Sequence, residues 1–157
     1  KAYQEENFPN MKQYGDKVET KDDQSISYEK IKEILTANPN IAAIQGSAMA
    51  DVAGAALAVE ELGLAGKVNI IGTSLVSVSG KYVREGTIDT ISFWDPAQAG
   101  KAMIVLAQKL LAGETIESGL DLGIEGYTNL TLDGKVLTGE AWVDVTIDNV
   151  DDPAYNF

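Results

Sequence analysis

Phe93-Trp94-Asp95-Pro96 is the stretch of this chain best suited to chemistry. It follows an apolar, strand-like run and precedes a long helical one, so it sets an indole beside a carboxylate at a strand end. A pyranose or furanose ring has apolar C–H faces and a rim of hydroxyls. An aromatic plate takes the C–H side and a carboxylate accepts from the hydroxyls. The same residues also have a plain structural use, with Phe93 and Trp94 in a core and Asp95 capping the helix that Pro96 begins. Two further loops share the setting: Gln45-Gly46-Ser47-Ala48-Met49 and Thr73-Ser74-Leu75-Val76. In open α/β sheets, ligands bind beyond the carboxyl ends of the strands, where such loops lie. Ser47 reads first as a helix cap and Ser74 as a loop hydroxyl.

Composition removes most other chemistry. The 157 residues include no His and no Cys. That excludes imidazole bases, Ser-His and Cys-His nucleophiles, zinc sites with nitrogen or sulfur ligands, and disulfides. A formal charge of -12 repels nucleic-acid backbones and anionic membranes. Glu114, Glu117, Asp121 and Glu125 lack the dense spacing of a calcium loop. No glycine-rich phosphate cradle follows a strand, so no nucleotide cofactor is supported. Glu60-Glu61 reads as a solvated helix face.

Position now depends on the elements. With 45% hydrophobic and 23% charged residues, the chain has the balance of an ordinary globular domain. Tyr28, Ile31, Ile34 and Leu35 share one helical face, and Asn38-Pro39-Asn40 stops that helix. Three strand-like runs follow, at 41–45, 68–72 and 88–93. Each leads into a helix: Ala50 to Leu62, a short stretch to Glu85-Gly86, and Ala97 to Ala112. The first is rich in small residues, which lets it lie close to a sheet. This alternation predicts adjacent parallel strands with helices on both faces. Val18 to Thr20 is a candidate short strand. After Gly113 the texture turns to β-branched residues and glycines, with a hairpin turn at Leu132-Asp133-Gly134-Lys135 and a strand-like alternation over 141–145.

Four stretches together resemble a known family. They are Asp51-Val52-Ala53-Gly54-Ala55-Ala56-Leu57-Ala58-Val59-Glu60-Glu61, Val68-Asn69-Ile70-Ile71-Gly72-Thr73-Ser74, Tyr82-Val83-Arg84-Glu85-Gly86-Thr87 and Phe93-Trp94-Asp95-Pro96. They are similar to the sugar-type periplasmic binding proteins of ABC transporters, in the branch of Lsr-type autoinducer receptors and rhamnose-binding proteins. Asp148-Asn149-Val150 and Tyr155-Asn156-Phe157 resemble the carboxyl end of that branch. The resemblance covers the later half of such a protein.

The resemblance implies the type I fold of that family: α/β, with flavodoxin-like three-layer parallel sheets in two lobes that close on a ligand. Residues 1–95 would belong to the second lobe without its opening strand, 96–147 to the first lobe, and 148–157 to the second again. The secretion or lipid signal of an extracytoplasmic, periplasmic or cell-surface protein would lie upstream. The partners would be a small sugar or sugar-like signal and an ABC permease. The substrate-binding residues would be Ser47, Met49, Ser74, Trp94 and Asp95. The family's Pro-Asp-Ala ligand loop reads Ser47-Ala48-Met49 here, and the Asp of ribose-type relatives is Ser74. No catalysis, cofactor or metal is implied. The competing reading is the effector-binding core of a sugar-responsive transcription regulator. The apolar positions of the 97–112 helix need cover, from the missing first lobe or from a second copy of the chain.

Overall fold

The computed structural model describes residues 2–155. Helix α1 (Ala2–Asn7) leads into an irregular stretch, and α2 (Gln24–Ala37) follows. Asp23 starts α2: its side chain accepts the Ile26 N–H at 2.9 Å, satisfying one of the free donors of the first turn. Then come β1 (Ala43–Gly46), α3 (Met49–Glu61), β2 (Asn69–Thr73), α4 (Val76–Arg84), β3 (Thr90–Phe93) and α5 (Pro96–Leu111). As expected, the three strands are adjacent and parallel, with Ile44 beside Ile70 and Gly72 beside Ile91. A fourth strand, β6 (Val143–Val145), joins β3 antiparallel.

Alternation along the strands sorts the side chains by face. Ile44, Ile70, Ile91, Phe93, Val143 and Val145 share one side. They form a single core with Leu35 of α2, Val52 and Val59 of α3, and Val76 and Val83 of α4. Burying each such aliphatic side chain contributes roughly 1.5–3 kcal/mol. The other side carries Gln45, Ile71, Ser92 and Asp144, and Ile71 is 44% exposed although β2 is an inner strand. Helical cover on that side is slight among the described residues. Only α1 touches that face, where Gln4 Nε2 donates to Gln45 Oε1 at 3.4 Å. Helix α5 leaves the sheet at Asp95-Pro96 and packs on the smaller core.

Small residues set the closeness of the layers. Gly46 and Gly72 are neighbours in the ladder. A Cβ on Gly72 would stand 2.3 Å from the Gly46 carbonyl oxygen and 2.8 Å from Val52 Cγ1. One on Gly54 would stand 2.5 Å from Ser27 Cβ, so α2 and α3 pack with almost no gap. The far ends of these helices are tied by charge. Glu61 accepts from Lys32 at 2.5 Å and from the Tyr28 hydroxyl. These bonds hold its carboxyl below the usual range. Glu60 accepts from the buried Thr87 hydroxyl at 2.9 Å. Glu61 is exposed, as expected of a solvated face, yet both carboxylates also fasten neighbouring segments, Glu60 from a half-buried position.

Residues 17–20 form no strand. Lys30 Nζ donates to the Glu19 carbonyl at 2.6 Å and Thr20 bonds to Asp51, so side chains rather than a ladder hold this stretch. Beyond α5, Gly113 at φ 75 supplies the left-handed stop. A hairpin, β4 (Thr131–Asp133) and β5 (Val136–Thr138), turns through Gly134-Lys135. Ala102 of α5, Leu122 and Leu130 form a second, smaller core, with Val105, Leu106, Tyr127 and Leu137 around it. The chain passes between the two cores twice, around Trp94-Asp95 and around Ala141-Trp142. Met103, Ile104, Leu110 and Leu111 stay exposed, Leu111 at 89%. A 3-10 turn, Pro153–Tyr155, brings Tyr155 edge-on against Phe93, 5.8 Å between ring centroids. The last part of the Tyr155-Asn156-Phe157 resemblance lies outside the described residues. Among the described residues no helix is long and apolar enough to cross a membrane.

Gly72→Ala should destabilise the fold by about 1–3 kcal/mol, because strands or α3 must move apart to admit the methyl. Gly100→Ala, in open space on α5, should leave stability unchanged or raise it by up to ~1 kcal/mol. Urea melts of both variants check this; equal midpoints would show that α3 has room to shift.

Candidate ligand wall at the strand ends

Because β1, β2 and β3 run parallel, the loops after them lie along one edge of the sheet. The first loop is organised by a carboxylate. Asp51 Oδ2 accepts the N–H of Ser47 at 3.1 Å and of Ala48 at 2.9 Å. Asp22 Oδ1 accepts the N–H of Ala50 at 3.0 Å. Asp22 and Lys21 both hold left-handed backbone, φ 54 and 57, a conformation that non-glycine residues adopt at some cost. Two carboxylates therefore fill the N-terminus of α3 and leave no place for an anion. Ser47 is not the cap: Ala48 takes that position. Ser47 is exposed, and its hydroxyl has no partner among the described residues.

Met49 opens α3 with its side chain 41% exposed. Its carbonyl accepts from Ser74 Oγ at 2.8 Å, and Ser74 Oγ also pairs with Ser79 Oγ at 2.7 Å. Ser74 is only 1% exposed. In the structure that hydroxyl joins the second loop to the first loop and to α4.

The third loop keeps both of its expected features. Asp95 caps α5, its Oδ1 accepting from Ala97 N at 2.7 Å and Gln98 N at 3.4 Å, with Pro96 in the first helical position. Its Oδ2 has no partner among the described residues and is free to accept more. Trp94 is 45% exposed. Its ring stacks on Trp142, centroids 5.5 Å apart and planes inclined by 23°. Trp142 was not singled out from sequence. Its signal was the alternation over 141–145, which became specific only once β6 was seen to lie antiparallel beside β3. Next inward on the same face, Ser92 Oγ donates to Asp144 Oδ1 at 2.6 Å.

Ser47 and Met49 thus form one group and Trp94 and Asp95 another, separated by the spacing from β1 to β3, roughly 10 Å. No hydrogen bond or ring contact joins the groups among the described residues. The arrangement is a shallow wall with exposed hydroxyl, thioether, indole and carboxylate groups. It suits a small polyhydroxylated ring and has no nucleophile poised beside a base. Among the described residues no three His, Cys, Asp or Glu side chains converge to hold a metal ion. A shallow depression lined by Tyr28, Lys32 and Thr36 lies along α2. It belongs to the opposite end of the sheet, because Tyr28 and Lys32 reach the last turn of α3.

Residues 1–115 match the family model described as "Periplasmic binding protein domain". Solved structures agree on the fold. A sugar ABC transporter from Actinomyces odontolyticus is 27% identical, with a TM-score of 0.74, over 89% of this chain and 45% of that one. LsrB from Clostridium saccharobutylicum, in complex with AI-2, is 19% identical, with a TM-score of 0.76, over 96% and 52%. A solute-binding protein from Clostridium phytofermentas with bound L-rhamnose is 20% identical, with a TM-score of 0.67, over 88% and 47%. The chain spans about half the length of these structures.

Ser74→Ala leaves the Met49 carbonyl and the Ser79 hydroxyl without their shared partner. It should destabilise by about 1–3 kcal/mol. Asp95→Ala should cost about 1 kcal/mol through the lost cap, and Asp95→Asn much less. Chemical denaturation of the three variants measures this. A neutral Ser74→Ala would show that its two bonds do not hold the Met49 loop in place.

Proposed function

Because the chain belongs to the periplasmic binding protein domain family, we propose that it forms part of the solute-binding component of an ABC importer, one that captures a small sugar or sugar-like signal. Residues 1–95 are one wall of the site, in the second lobe. Residues 96–147 belong to the first lobe and 148–157 return to the second. The rest of the first lobe supplies the opposite wall and covers the apolar positions of α5. The supporting observation is the half-exposed indole of Trp94 beside the free Oδ2 of Asp95, at the point where the chain passes from the larger core to the smaller.

In this reading Trp94 stacks on a C–H face of the sugar and Asp95 Oδ2 accepts one or two of its hydroxyls. Ser47 and Met49 flank the ring, and Ser74 holds the Met49 loop in place. Ligand stabilises the closed pair of lobes because only that state presents both walls, and the closed face is what the permease receives. No bond is made or broken. The protein works outside the cytoplasmic membrane. The similar structures described as transporters and solute-binding proteins weigh against an effector-binding core of a regulator.

Calorimetry on the complete protein with L-rhamnose, D-fucose, D-arabinose and D-tagatose tests this. One of these should bind. Asp95→Asn, which keeps the cap, should weaken that sugar about ten- to a hundredfold, as expected for losing a charge-assisted hydrogen bond. Trp94→Ala should weaken it at least as much. Unchanged affinity in both variants would show that the sugar sits elsewhere.

A further inference from the structure

Trp94 has two ring faces, and one of them is already used. Trp142 covers it at 5.5 Å between centroids, in a near-parallel stack. The stack follows from register: Phe93 pairs with Val143, so the next residues outward, Trp94 and Trp142, oppose each other. The next pair inward on the same face is bound too, Ser92 Oγ donating to Asp144 Oδ1 at 2.6 Å. Both indoles are exposed, at 45% and 53%. Their contact therefore lies outside both buried cores, and truncating Trp142 removes no fully buried side chain.

A half-exposed indole at a strand end would sample several rotamers if it stood alone. A sugar stacking on it would have to fix it, at a cost in side-chain entropy. Trp142 limits that freedom before any ligand arrives and leaves a single face of Trp94 available. Trp142 also sits on the segment that returns from the smaller core, whereas Trp94 sits on the segment that leaves for it. The orientation of the sugar-facing ring thus depends on both crossings of the chain.

The geometry points to Trp142 as a positioning residue for sugar recognition: it backs Trp94, aims its free face at the ligand, and makes that aim depend on how the two crossing segments lie. This rests on the reading of Trp94 as part of the sugar wall.

The test uses the complete protein and the sugar panel of L-rhamnose, D-fucose, D-arabinose and D-tagatose, with Trp142→Ala and Trp142→Phe beside the wild type. Stacked indoles couple their electronic transitions and give a paired positive and negative band in circular dichroism. The wild type should show this couplet, both variants should lose it, and saturating sugar should alter it in the wild type. Trp142→Ala should stay folded, with a melting temperature lowered by no more than the loss of one half-exposed aromatic pair, and should bind the sugar about three- to tenfold more weakly. Trp142→Phe, which still offers a flat ring, should bind within about twofold of wild type. Equal affinity in wild type and Trp142→Ala, or a couplet that saturating sugar leaves untouched, overturns the role of Trp142 while sugar binding stands. If no sugar binds the wild type, the sugar reading itself fails and this inference falls with it. Should Trp142→Ala not fold, the response of the wild-type couplet to saturating sugar and the affinity of Trp142→Leu, which fills space without a flat ring and should bind several-fold more weakly, still decide.

Discussion

Val52 lies over Gly46 and Gly72 at a distance that no Cβ at either glycine would permit. That approach brings the first turn of α3 down onto the ends of β1 and β2, and the rest of the ligand edge is arranged around it. Asp51 is then near enough to cap its own helix through Ser47 and Ala48. Ser74, at the end of β2, reaches the Met49 carbonyl. With the N–H groups of Ser47, Ala48 and Ala50 and the carbonyl of Met49 bonded internally, the first loop turns its Ser47 and Met49 side chains outward. A helix held farther from the sheet would lose these bonds together.

The second constraint is the partition of apolar side chains between two cores. Every helix from α2 to α4 sends its apolar face into the larger core, while α5 sends Ala102 into the smaller one. Asp95 and Pro96 make that departure abrupt: the carboxylate caps the new helix and Pro prevents β3 from being continued as helix without a break. The two crossing segments run side by side, held by the β3–β6 ladder, by Ser92–Asp144 and by the tryptophan stack. A ligand touching Trp94 therefore touches the joint between the two cores.

Much of this was legible in the sequence. Local rules sufficed for the three strands, for α3 with its run of small residues, for the Asp95-Pro96 helix start and for the turn at Gly134. Whether Trp94 was core or exposed stayed open until the strand's faces were placed, which separate it from the buried Phe93 beside it. What was not legible shares a cause: each feature depends on a partner distant in the chain. Ser74 has a buried use only because Met49 and Ser79 converge on it. Glu60 and Glu61 show their fastening role only once Thr87, Lys32 and Tyr28 are placed beside them. Val18 to Thr20 has strand-like residues but no neighbouring strand with a free ladder. Trp142 needed the antiparallel register of β6.

The central claim is that Trp94, at the strand-end edge, meets a sugar. The most direct measurement is the indole N–H resonance of Trp94 in the complete protein, assigned by its loss in Trp94→Phe, during titration with a monosaccharide whose binding is established by its heat. The account predicts a saturable shift of that resonance with the same midpoint as the heat. A resonance that stays fixed while the sugar binds would contradict it.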